Sequence, residues 1–505
     1  RLDPKPAGAV TLTIDGRVVA AAPGDSVMGA MLLADTPAAG RSPADGSPRA
    51  PYCGMGVCFE CLVTIDGGRP ASRRCATGWW SPRGSPMIDL LVIGAGPAGL
   101  AATAEAAAAG LSVVLVDENA APGGQIYRGL EGADPARIAL LGKAYRAGRP
   151  LIEAMRRAPA TLMLRTTVWS IERRGEGFRV GVAEAGAGGQ RRMQELAARR
   201  VLIATGALER PFPIPGWTLP GVMTAGAAQT LLKASGAVPE GPTVIAGSGP
   251  LLFLLAAQYR RAGVPIDRLL LTTPAANLGA ALPRAAAFLA SPYAGKGLGL
   301  LAGLAGRVRT VRGVTGLAAE GDGALGAVSY VAGGREHHVP ARTLLLHQGV
   351  VPQASLAMAA GCEHGWNPER LAFEPTRDAF GESSVPGLYI AGDCAGIGGA
   401  EAAALEGRIA ARRIATALAG ATEADPTAAA LRRNLRHALR GRAFLDRLYR
   451  PPDALRVPEG DVLVCRCESV TAAAVRAACA RGATGPNQVK AFTRAGMVPC
   501  QWRLC

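Results

Sequence analysis

The segment from residue 87 to residue 118 alternates between strand-like and helix-like patterns around one glycine-rich turn. MIDLLVI predicts a buried strand, the alanine-rich run after the turn predicts a helix, and SVVLV predicts a second strand. In this setting the first glycine of G-x-G-x-x-G makes the turn, the second admits a pyrophosphate, and the third lets helix and strand pack closely. We therefore expect an α/β dinucleotide-binding fold. The turn residues expected to contact the cofactor are Gly94, Gly96, Pro97, Ala98 and Gly99.

An acidic residue follows the second predicted strand. Asp117 lies 23 positions after Gly94, where a carboxylate can bond the ribose hydroxyls of a dinucleotide, and Glu118 is the alternative one residue later. The segment that includes Gly124 and Gln125 follows shortly afterwards, and we expect it to lie against the same cofactor.

Two later segments distinguish the kind of dinucleotide. Thr205 and Gly206 end a predicted strand, and Gly392 and Asp393 stand between another strand and a helix. Both segments resemble turns of flavoproteins with two dinucleotide-binding domains. In those proteins the matching aspartate holds the ribityl chain, and the following helix begins at the flavin ring. Together with the segment that includes Gly124 and Gln125, these two turns occur in the order found in such flavoproteins. They therefore predict that the bound dinucleotide is FAD.

A second strand–turn–helix unit begins near Thr243 and departs from its template. Gly247 and Gly249 are present, but Leu252 replaces the third glycine, and position 270, where the same count expects an acid, is leucine. An NAD(P)H site usually keeps an acid or several arginines there. This unit is therefore predicted to be structural, or to hold a nucleotide without hydride transfer.

Eight of the eleven cysteines form two sets of four, the number of thiolates that a [2Fe–2S] cluster needs. The first set has the spacing C-x4-C-x2-C-x13-C, whose first gaps match plant-type ferredoxins. Zinc is the alternative, but zinc sites usually show two C-x2-C pairs. The predicted ligands are Cys53, Cys58, Cys61 and Cys75.

The second set has the spacing C-x-C-x32-C-x4-C and resembles the bacterioferritin-associated-ferredoxin-like [2Fe–2S] domain. The segment between its pairs predicts a helix, a glycine turn and a second helix. The last gap is longer than the two residues common in that family, and zinc is again the alternative. Because the chain stops at a proposed ligand, we expect further residues beyond it. The predicted ligands are Cys465, Cys467, Cys500 and Cys505.

The other cysteines are Cys362, Cys394 and Cys479. Cys394 adjoins the flavin motif, and we interpret it as a small packed residue. No C-x-x-C lies near the flavin segments, which disfavours disulfide-reductase chemistry. His347, at a strand end, is interpreted as a hydrogen-bonded loop histidine. No catalytic residue is assigned, because no Ser–His–Asp order or metal-hydrolase motif is present.

Composition excludes some functions. The chain has 505 residues, 49% of them apolar, which allows several domains with buried cores. The net charge is +16, yet aromatic residues make up only 5%, and no arginine block with interleaved aromatics is present. Nucleic-acid binders normally combine a basic patch with aromatic side chains on which bases stack. This chain lacks that combination, so we expect no nucleic-acid partner.

No run of about twenty uncharged apolar residues is present, so no membrane span is predicted. The first residues, RLDPKPAGAV, lack the apolar region of a secretion signal. Cysteines clustered at ligand spacing are typical of reducing compartments. We expect a cytoplasmic chain, associated with a membrane at most peripherally through a complex.

The expected fold class is α/β, a flavoprotein with two Rossmann-like domains flanked by a small β-rich and a small helical iron–sulfur domain. The expected units are a ferredoxin-like domain at 1–84, an FAD-binding domain at 85–212 and 351–420, a degenerate NAD-like domain at 213–350, a helical connector at 421–460, and the second iron–sulfur domain at 461–505.

Seven segments together resemble the alpha-type subunits of heteromeric amino-acid dehydrogenases and oxidases: CGMGVCFEC, GGQIYR, ATGALERP, GSGPLL, HQGVVP, AGDCAGIGGA and the CRCE…NQVKAFTRAGMVPCQ tail. That family includes hydrogen cyanide synthase, opine oxidases, D-hydroxyproline and L-proline dehydrogenases, and sarcosine oxidase. The resemblance covers nearly the whole chain. The N-terminal ferredoxin module, often a separate polypeptide in the family, looks fused here.

The resemblance implies that a beta-type partner with its own FAD oxidises an amino acid or secondary amine. It also implies an FMN between subunits and a relay of electrons through this chain to a quinone, oxygen or a carrier. We therefore predict a flavin-dependent dehydrogenase subunit with FAD and two [2Fe–2S] clusters. Two alternatives stay open at this point: an NAD(P)H-dependent ferredoxin reductase, and an iron–sulfur storage or delivery module.

Overall fold

The structure is a computed structural model, and it describes residues 10–14, 17–21, 31, 40–41, 46–50, 87–186, 191–421, 425–497 and 500. Five predicted cluster ligands lie outside the described residues: Cys53, Cys58, Cys61, Cys75 and Cys505.

The N-terminal strands are β1 (Val10–Ile14), β2 (Arg17–Ala21), β3 (Gly40–Arg41) and β4 (Pro48–Arg49). β1 and β2 pair antiparallel, with Ile14 opposite Arg17, as the alternating pattern predicts for a hairpin. β3 and β4 form a second antiparallel pair.

The next elements in chain order are β5 (Ile88–Ile93), α1 (Pro97–Ala108), β6 (Val113–Val116), α2 (Pro135–Leu141), α3 (Lys143–Arg146), α4 (Arg149–Arg157), β7 (Ala160–Met163), β8 (Thr166–Arg174), β9 (Gly177–Ala185), β10 (Arg191–Ile203) and β11 (Ala207–Glu209). Then follow β12 (Val222–Thr224), α5 (Ala225–Ser235), β13 (Thr243–Gly247), α6 (Pro250–Arg261), β14 (Ile266–Leu271), α7 (Ala276–Ala281), a 3-10 turn (Leu282–Arg284), α8 (Ala285–Leu289), α9 (Pro292–Leu304) and β15 (Thr310–Arg312).

The remaining elements are β16 (Val314–Glu320), β17 (Ala327–Ala332), β18 (Arg335–Pro340), β19 (Thr343–His347), β20 (Val350–Pro352), α10 (Ser355–Ala359), β21 (His364–Asn367), β22 (Ala372–Pro375), β23 (Leu388–Ile390), α11 (Ala400–Leu418), α12 (Pro426–Ala438), α13 (Arg442–Leu448), α14 (Asp453–Arg456), β24 (Leu463–Cys465), β25 (Val470–Thr471), α15 (Ala472–Ala480) and α16 (Pro486–Thr493).

The first large sheet has a parallel part in the order β7-β6-β5-β10-β23. Only the C-terminal half of the long strand β10 belongs to this parallel part. Its N-terminal half pairs antiparallel with β9, which in turn pairs with β8. Leu90 and Leu202, on neighbouring strands, are fully buried beneath α1 and α11. Gly407 lets these two helices cross closely, since a Cβ there would lie 2.1 Å from the carbonyl oxygen of Ala98.

The second large sheet repeats this plan. Its five strands are parallel, in the order β12-β19-β13-β14-β15, and the antiparallel group β16-β17-β18 stands where β8-β9-β10 stands in the first sheet. Continuous apolar runs such as those of β13 and β19 suit strands with both faces covered. The structure therefore has the expected architecture of two dinucleotide-binding folds.

The chain passes between these two folds twice, and the two connecting segments, which we call the crossings, lie side by side. β11 leads from the first fold into the second, β20 leads back, and the two pair antiparallel with Leu208 opposite Val351. The carboxyl ends of β10 and β19 therefore meet at one seam, and ligands of open α/β sheets bind at such carboxyl ends.

The C-terminal part contains three short helices and a small unit. α12, α13 and α14 connect α11 to the hairpin β24–β25, and α15 and α16 follow on either side of Gly482. This order agrees with the predicted helix, glycine turn and helix. Within the described parts of the chain, no helix is long and apolar enough to span a bilayer.

Candidate functional site

The first glycine turn is shaped by contacts that leave one side open. Gly94 has φ +107°, and a Cβ on it would lie 2.4 Å from the carbonyl oxygen of Ala204, while a Cβ on Gly99 would lie 1.8 Å from the carbonyl oxygen of Gly94. A Cβ on Gly96 would meet no atom within 4 Å. Gly96 is also the N-cap of α1 and offers no side chain to its amides. The first turn of α1 can therefore accept a phosphate group.

Asp117 is held by the protein itself. One carboxylate oxygen accepts a hydrogen bond from the amide of Ala95 at 2.6 Å, and the other accepts from the amide and the side chain of Asn119 at 2.7 and 2.8 Å. Asp117 is 8% exposed, whereas the adjacent Glu118 is exposed. Asp117 thus stabilises the glycine turn, and Glu118 is the exposed carboxylate of the two.

The Gly123–Gln125 segment closes one wall of the same groove. The amide of Gly123 donates to the carbonyl oxygen of Ala95 at 2.8 Å, and a Cβ on Gly124 would lie 2.9 Å from the Cα of Gly96. The side chain of Gln125 accepts from Arg128 at 3.2 Å. The segment therefore lies against the glycine turn, where the sequence analysis expected it to contact the cofactor.

The Thr205–Gly206 turn lies on another side of the groove. The amide of Ala204 donates to Ile93 at 2.8 Å, which places the turn beside the end of β5. The hydroxyl of Thr205 donates to the carbonyl oxygen of Gln353 at 3.3 Å, and the amide of Gln353 donates to Gly206 at 3.0 Å. These bonds tie the end of β10 to the return crossing.

The Gly392–Asp393 turn completes the groove. A Cβ on Gly392 would lie 2.9 Å from the Cβ of Ala98, which shows how closely this turn approaches α1. One oxygen of Asp393 accepts from the amides of Gly398 and Gly399, both at 2.9 Å, just before α11 begins. The carboxylate therefore orients the start of α11 toward the groove.

The structure thus brings the predicted dinucleotide segments together at the carboxyl edge of one parallel sheet. The shared groove has backbone amides at the start of α1, an exposed carboxylate at Glu118 and a glycine surface with space beside Gly96. These features fit the pyrophosphate and ribose of FAD.

Lys233 is a buried titratable residue that sequence reasoning did not select. Its ammonium donates to the carbonyl oxygen of Gln125 at 3.1 Å and to the side chain of Gln229 at 2.9 Å. Burial, with a smaller contribution from the nearby Arg128, lowers the pKa of Lys233 to about 7. Its position in an otherwise apolar helix segment, LLKAS, was the signal available in the sequence.

The second glycine turn differs from the first because the chain's own residues cover it. Ser248, inside this turn, is fully buried; its hydroxyl lies 2.8 Å from that of Thr273 and donates to the carbonyl oxygen of Tyr449 at 3.2 Å. Asn277 donates to the carbonyl oxygens of Leu448 and Arg450 at 3.0 and 2.8 Å. We call residues 448–450 the connector strap.

Position 270 lies 23 residues after Gly247, as Asp117 lies 23 residues after Gly94. In the structure, however, the first residue after β14 is two positions later, at 272. Leu270 is a buried residue of β14, which ends at Leu271, so Thr272 stands where Asp117 stands in the first fold. The loop between α6 and β14 has four residues, like the loop between α1 and β6, but β14 has six residues where β6 has four, and this shifts the register. Neither Thr272 nor Thr273 is acidic, so the corrected position also lacks the acid.

His347 belongs to a buried pair instead of a loop. It ends β19, is 2% exposed, and its Nδ1 lies 2.5 Å from a carboxylate oxygen of Glu209. The other oxygen of Glu209 accepts from the amide of Gly226 at 2.8 Å. His347 also faces the second glycine turn, because a Cβ on Gly249 would lie 2.9 Å from its ring. Sequence reasoning missed Glu209, whose partner lies 138 residues away.

Three predicted cluster ligands of the C-terminal unit are described. Cys465 and Cys500 are buried and Cys467 is half-buried, and Cys465 and Cys467 share a small apolar cluster with Val470 and Ala495. Among the described residues no group of three or more histidine, cysteine or acidic side chains is arranged to hold a metal ion. The soft thiol donors of Cys465 and Cys467 in one apolar cluster suit iron–sulfur ligation.

The other cysteines lie apart from that cluster. Cys362 and Cys394 are buried, and burial raises the pKa of both thiols. The Cys394 sulfur contacts the carbonyl oxygens of Ile203 and Ala391 at 3.5 and 3.3 Å, as a packed residue would. Cys479 is exposed on α15.

Three family models match the chain. The model of pyridine nucleotide-disulphide oxidoreductases matches residues 88–419, a 2Fe-2S iron-sulfur cluster binding domain matches residues 7–80, and the BFD-like [2Fe-2S] binding domain matches residues 463–505. The predicted fold class is confirmed: an FAD-type α/β oxidoreductase core lies between two [2Fe–2S] domains.

Similar proteins agree with these matches. An opine oxidase subunit of Agrobacterium tumefaciens (strain Ach5) is 48% identical over 426 residues, which cover 83% of this chain and 84% of that protein. The HcnB subunit of hydrogen cyanide synthase from Pseudomonas aeruginosa is 35% identical over 440 residues, which cover 82% and 90%.

A solved structure shares the fold. L-proline dehydrogenase from P. horikoshii superimposes with a TM-score of 0.72 at 20% identity, covering 100% of this chain and 91% of that one. The predicted relationship is therefore confirmed: the chain belongs to the pyridine nucleotide-disulphide oxidoreductase family and, within it, to the group that includes these subunits of opine oxidase and hydrogen cyanide synthase.

Proposed function

We propose that this chain is the electron-transfer subunit of a heteromeric enzyme that dehydrogenates an amino acid or secondary amine at a C–N bond. The substrate class comprises opines, proline or D-hydroxyproline, sarcosine and glycine. The relatives named as subunits of opine oxidase and hydrogen cyanide synthase support this class. The observation that carries the proposal is the position of the connector strap. This position bears on whether electrons enter from a pyridine nucleotide or from a partner subunit.

The strap lies where a pyridine nucleotide would need space. Ser248 and Thr273 correspond by position to Ala95 and the acidic pair of the first fold, beside which a bound dinucleotide places its ribose. The carbonyl oxygen of Tyr449 accepts directly from Ser248, and Asn277 holds the strap through hydrogen bonds to the carbonyl oxygens of Leu448 and Arg450. Electrons therefore come from a partner subunit, and NAD(P)H is not the donor.

FAD, when bound in the first groove, supplies the conversion between two-electron and one-electron chemistry. The start of α1 at Gly96, Pro97 and Ala98 would bind its pyrophosphate, while Gly94 makes the turn and Gly99 lets the helix pack on the strand. Glu118 binds the ribose and Asp117 keeps the turn in shape. Asp393 lies at the ribityl chain, and the lining residues along the remaining length are Gly124, Gln125, Thr205, Gly206 and Gly392.

Each of the two cysteine sets would hold one [2Fe–2S] cluster, and such clusters carry electrons one at a time. The N-terminal ligands are Cys53, Cys58, Cys61 and Cys75, and the C-terminal ligands are Cys465, Cys467, Cys500 and Cys505. The partner is a beta-type subunit with its own FAD and the substrate site, and an FMN lies at the subunit interface. The acceptor is a quinone, oxygen or a carrier. Clustered cysteines support a cytoplasmic location.

The test is to purify the chain alone and with the proteins that accompany it, and to screen amino acids with an artificial electron acceptor. We expect amine oxidation by the complex and none by the chain alone. We also expect that NADH does not bleach the flavin of the isolated chain. Amine oxidation by the lone chain, or rapid bleaching by NADH, would overturn the assignment.

A further inference from the structure

Arg466 stands between two predicted cluster ligands, Cys465 and Cys467, and is 3% exposed. Its guanidinium donates to the carbonyl oxygen of Trp217 at 3.0 Å and to the carbonyl oxygen of Ala50 at 3.3 Å. The same group lies over the Trp217 ring, 5.1 Å from its centroid. One side chain therefore joins three parts of the chain that are far apart in sequence.

Trp217 ties the C-terminal unit to the second dinucleotide fold. It is 1% exposed and belongs to the apolar core that contains Phe212 and Val222. Its indole nitrogen donates to the carbonyl oxygen of Leu463 at 2.9 Å, two residues before Cys465. Because a core residue makes this bond, the position of β24 is set by the interior of the second fold.

Arg49 joins the N-terminal module to the same place. It ends β4, is 5% exposed, and donates to the carbonyl oxygen of Arg466 at 3.3 Å and to the hydroxyl of Ser469 at 2.9 Å. Arg49 thus donates to the segment that contains Arg466, and Arg466 donates to the segment that contains Arg49. The two buried guanidinium groups link the N-terminal module to the C-terminal unit. Burying such charges is unfavourable unless their donors are bonded in a set geometry, so this boundary is a specific contact.

We propose that this contact holds the two iron–sulfur modules side by side so that their clusters exchange electrons directly, with Arg466 as the positioning residue. The proposal rests on the proposed electron-transfer function. Cys53 follows Ala50 by three residues, which span at most about 11 Å of extended chain. Cys465 and Cys467 flank Arg466. Each predicted ligand set therefore has a member within three residues of this junction along the chain.

The charge of Arg466 has a second consequence. Reduction adds negative charge to a thiolate-ligated cluster, and a nearby buried cation stabilises the reduced form. Arg466 therefore raises the reduction potential of the C-terminal cluster relative to the same site with a neutral side chain. Replacement by lysine keeps the charge but removes the planar fork that reaches two carbonyl oxygens at once.

The experiment uses the complete holoprotein reduced with dithionite, so that neither an amine nor a partner subunit is needed. Electron paramagnetic resonance of partly and fully reduced samples shows whether two cluster spins interact. We expect splitting or faster relaxation in the fully reduced protein. A fully reduced spectrum equal to the sum of two independent signals would overturn the proposal, whatever the amine assay shows.

Variants then test Arg466 itself. We expect R466Q to weaken the spin interaction and lower the potential of one cluster, and R466K to weaken the interaction while keeping most of the potential. R494Q is the matched control, because Arg494 is an exposed arginine of the same unit that pairs with Glu468 at 3.1 Å. W217F, which removes the bond to Leu463 and keeps an aromatic ring, is the milder variant should R466Q lose a cluster. An unchanged interaction in R466Q and R466K, or an equal loss in R494Q, would refute the positioning role.

Discussion

At the scale of single residues, the flavin groove depends on two glycines with opposite surroundings. Gly96 faces open space, and Gly99 faces a carbonyl oxygen that a Cβ would approach to 1.8 Å. The first position therefore has space for a ligand, and the second allows the close packing of helix on strand. Sequence reasoning predicted these roles, because they follow from local backbone geometry.

This difference predicts opposite results for two similar substitutions. G96V should change the free energy of unfolding of the FAD-free chain by less than about 1 kcal/mol but lower its FAD content several-fold, because the valine enters the ligand space. G99A should destabilise the FAD-free chain by roughly 3 kcal/mol or more through overpacking. Denaturant unfolding and the flavin-to-protein absorbance ratio distinguish them. Equal loss of stability in both variants would contradict the assignment.

Lys233 makes stability depend on pH. Its pKa in the folded chain is about 7, below the ordinary value of 10.5, so the unfolded state binds more protons between those values. The free energy of unfolding therefore rises with pH from about 7 to 10, by at most about 1.4 kcal/mol per pH unit from this group. K233M should remove that slope. Urea unfolding at several pH values measures it.

Lys143 provides the control, since it is exposed on α3. K143M should keep the pH slope of the parent chain. A slope that persists in K233M would show that another group causes it.

At the scale of elements, the connector strap is hydrogen-bonded to the second dinucleotide fold. Its sequence, LYR, carries no motif, and its partners Ser248 and Asn277 precede it by 201 and 171 residues. The degenerate glycine pattern predicted that this fold would not transfer hydride. The structure adds that backbone of the C-terminal connector is hydrogen-bonded to the second glycine turn through Ser248.

N277A should release the strap, because it removes both hydrogen bonds to the carbonyl oxygens of Leu448 and Arg450. Each such bond contributes about 1 kcal/mol, so we expect a loss of roughly 1 to 3 kcal/mol and faster chymotrypsin cleavage after Leu448 or Tyr449. N434A, on the exposed side of α12, is the control and should leave cleavage unchanged. Equal cleavage of N277A and the parent chain would show that other contacts hold the strap.

At the scale of the whole molecule, the Glu209–His347 pair links the crossing strand β11 to a strand of the second fold. Both side chains are almost fully buried, and Glu209 also bonds the start of α5. The pair therefore couples the end of β19 to the crossing strand β11. Breaking a buried pair of this kind leaves donors and acceptors without partners.

E209A should lower the free energy of unfolding by roughly 3 kcal/mol, since His347 and the amide of Gly226 lose their acceptor. The double variant E209A/H347L should be more stable than the sum of its single variants predicts, because it removes both members of the pair. A double-mutant cycle by denaturant unfolding measures this coupling. Additive effects would show that the pair is energetically independent.

The sequence by itself determined the fold class, the order of the domains and the segments that meet at one groove of the first sheet. These features depend on local patterns: strand and helix periodicity, glycines at turns, and cysteines at ligand spacing. Local patterns also placed an acid after β6 within one residue, but could not decide between Asp117 and Glu118. The structure adds that a carboxylate oxygen of Asp117 accepts from the amide of Ala95, whereas Glu118 is exposed.

Only the tertiary structure decided the rest. The burial of Lys233, the partner of His347, the strap over Ser248 and the junction at Arg466 each join residues that are distant in sequence or depend on their surroundings. Such contacts arise from how packed elements meet, and no single segment encodes them. The cysteine sets predicted two clusters, whereas the contacts of Arg466 with Ala50 and Trp217 define the boundary that brings their modules together.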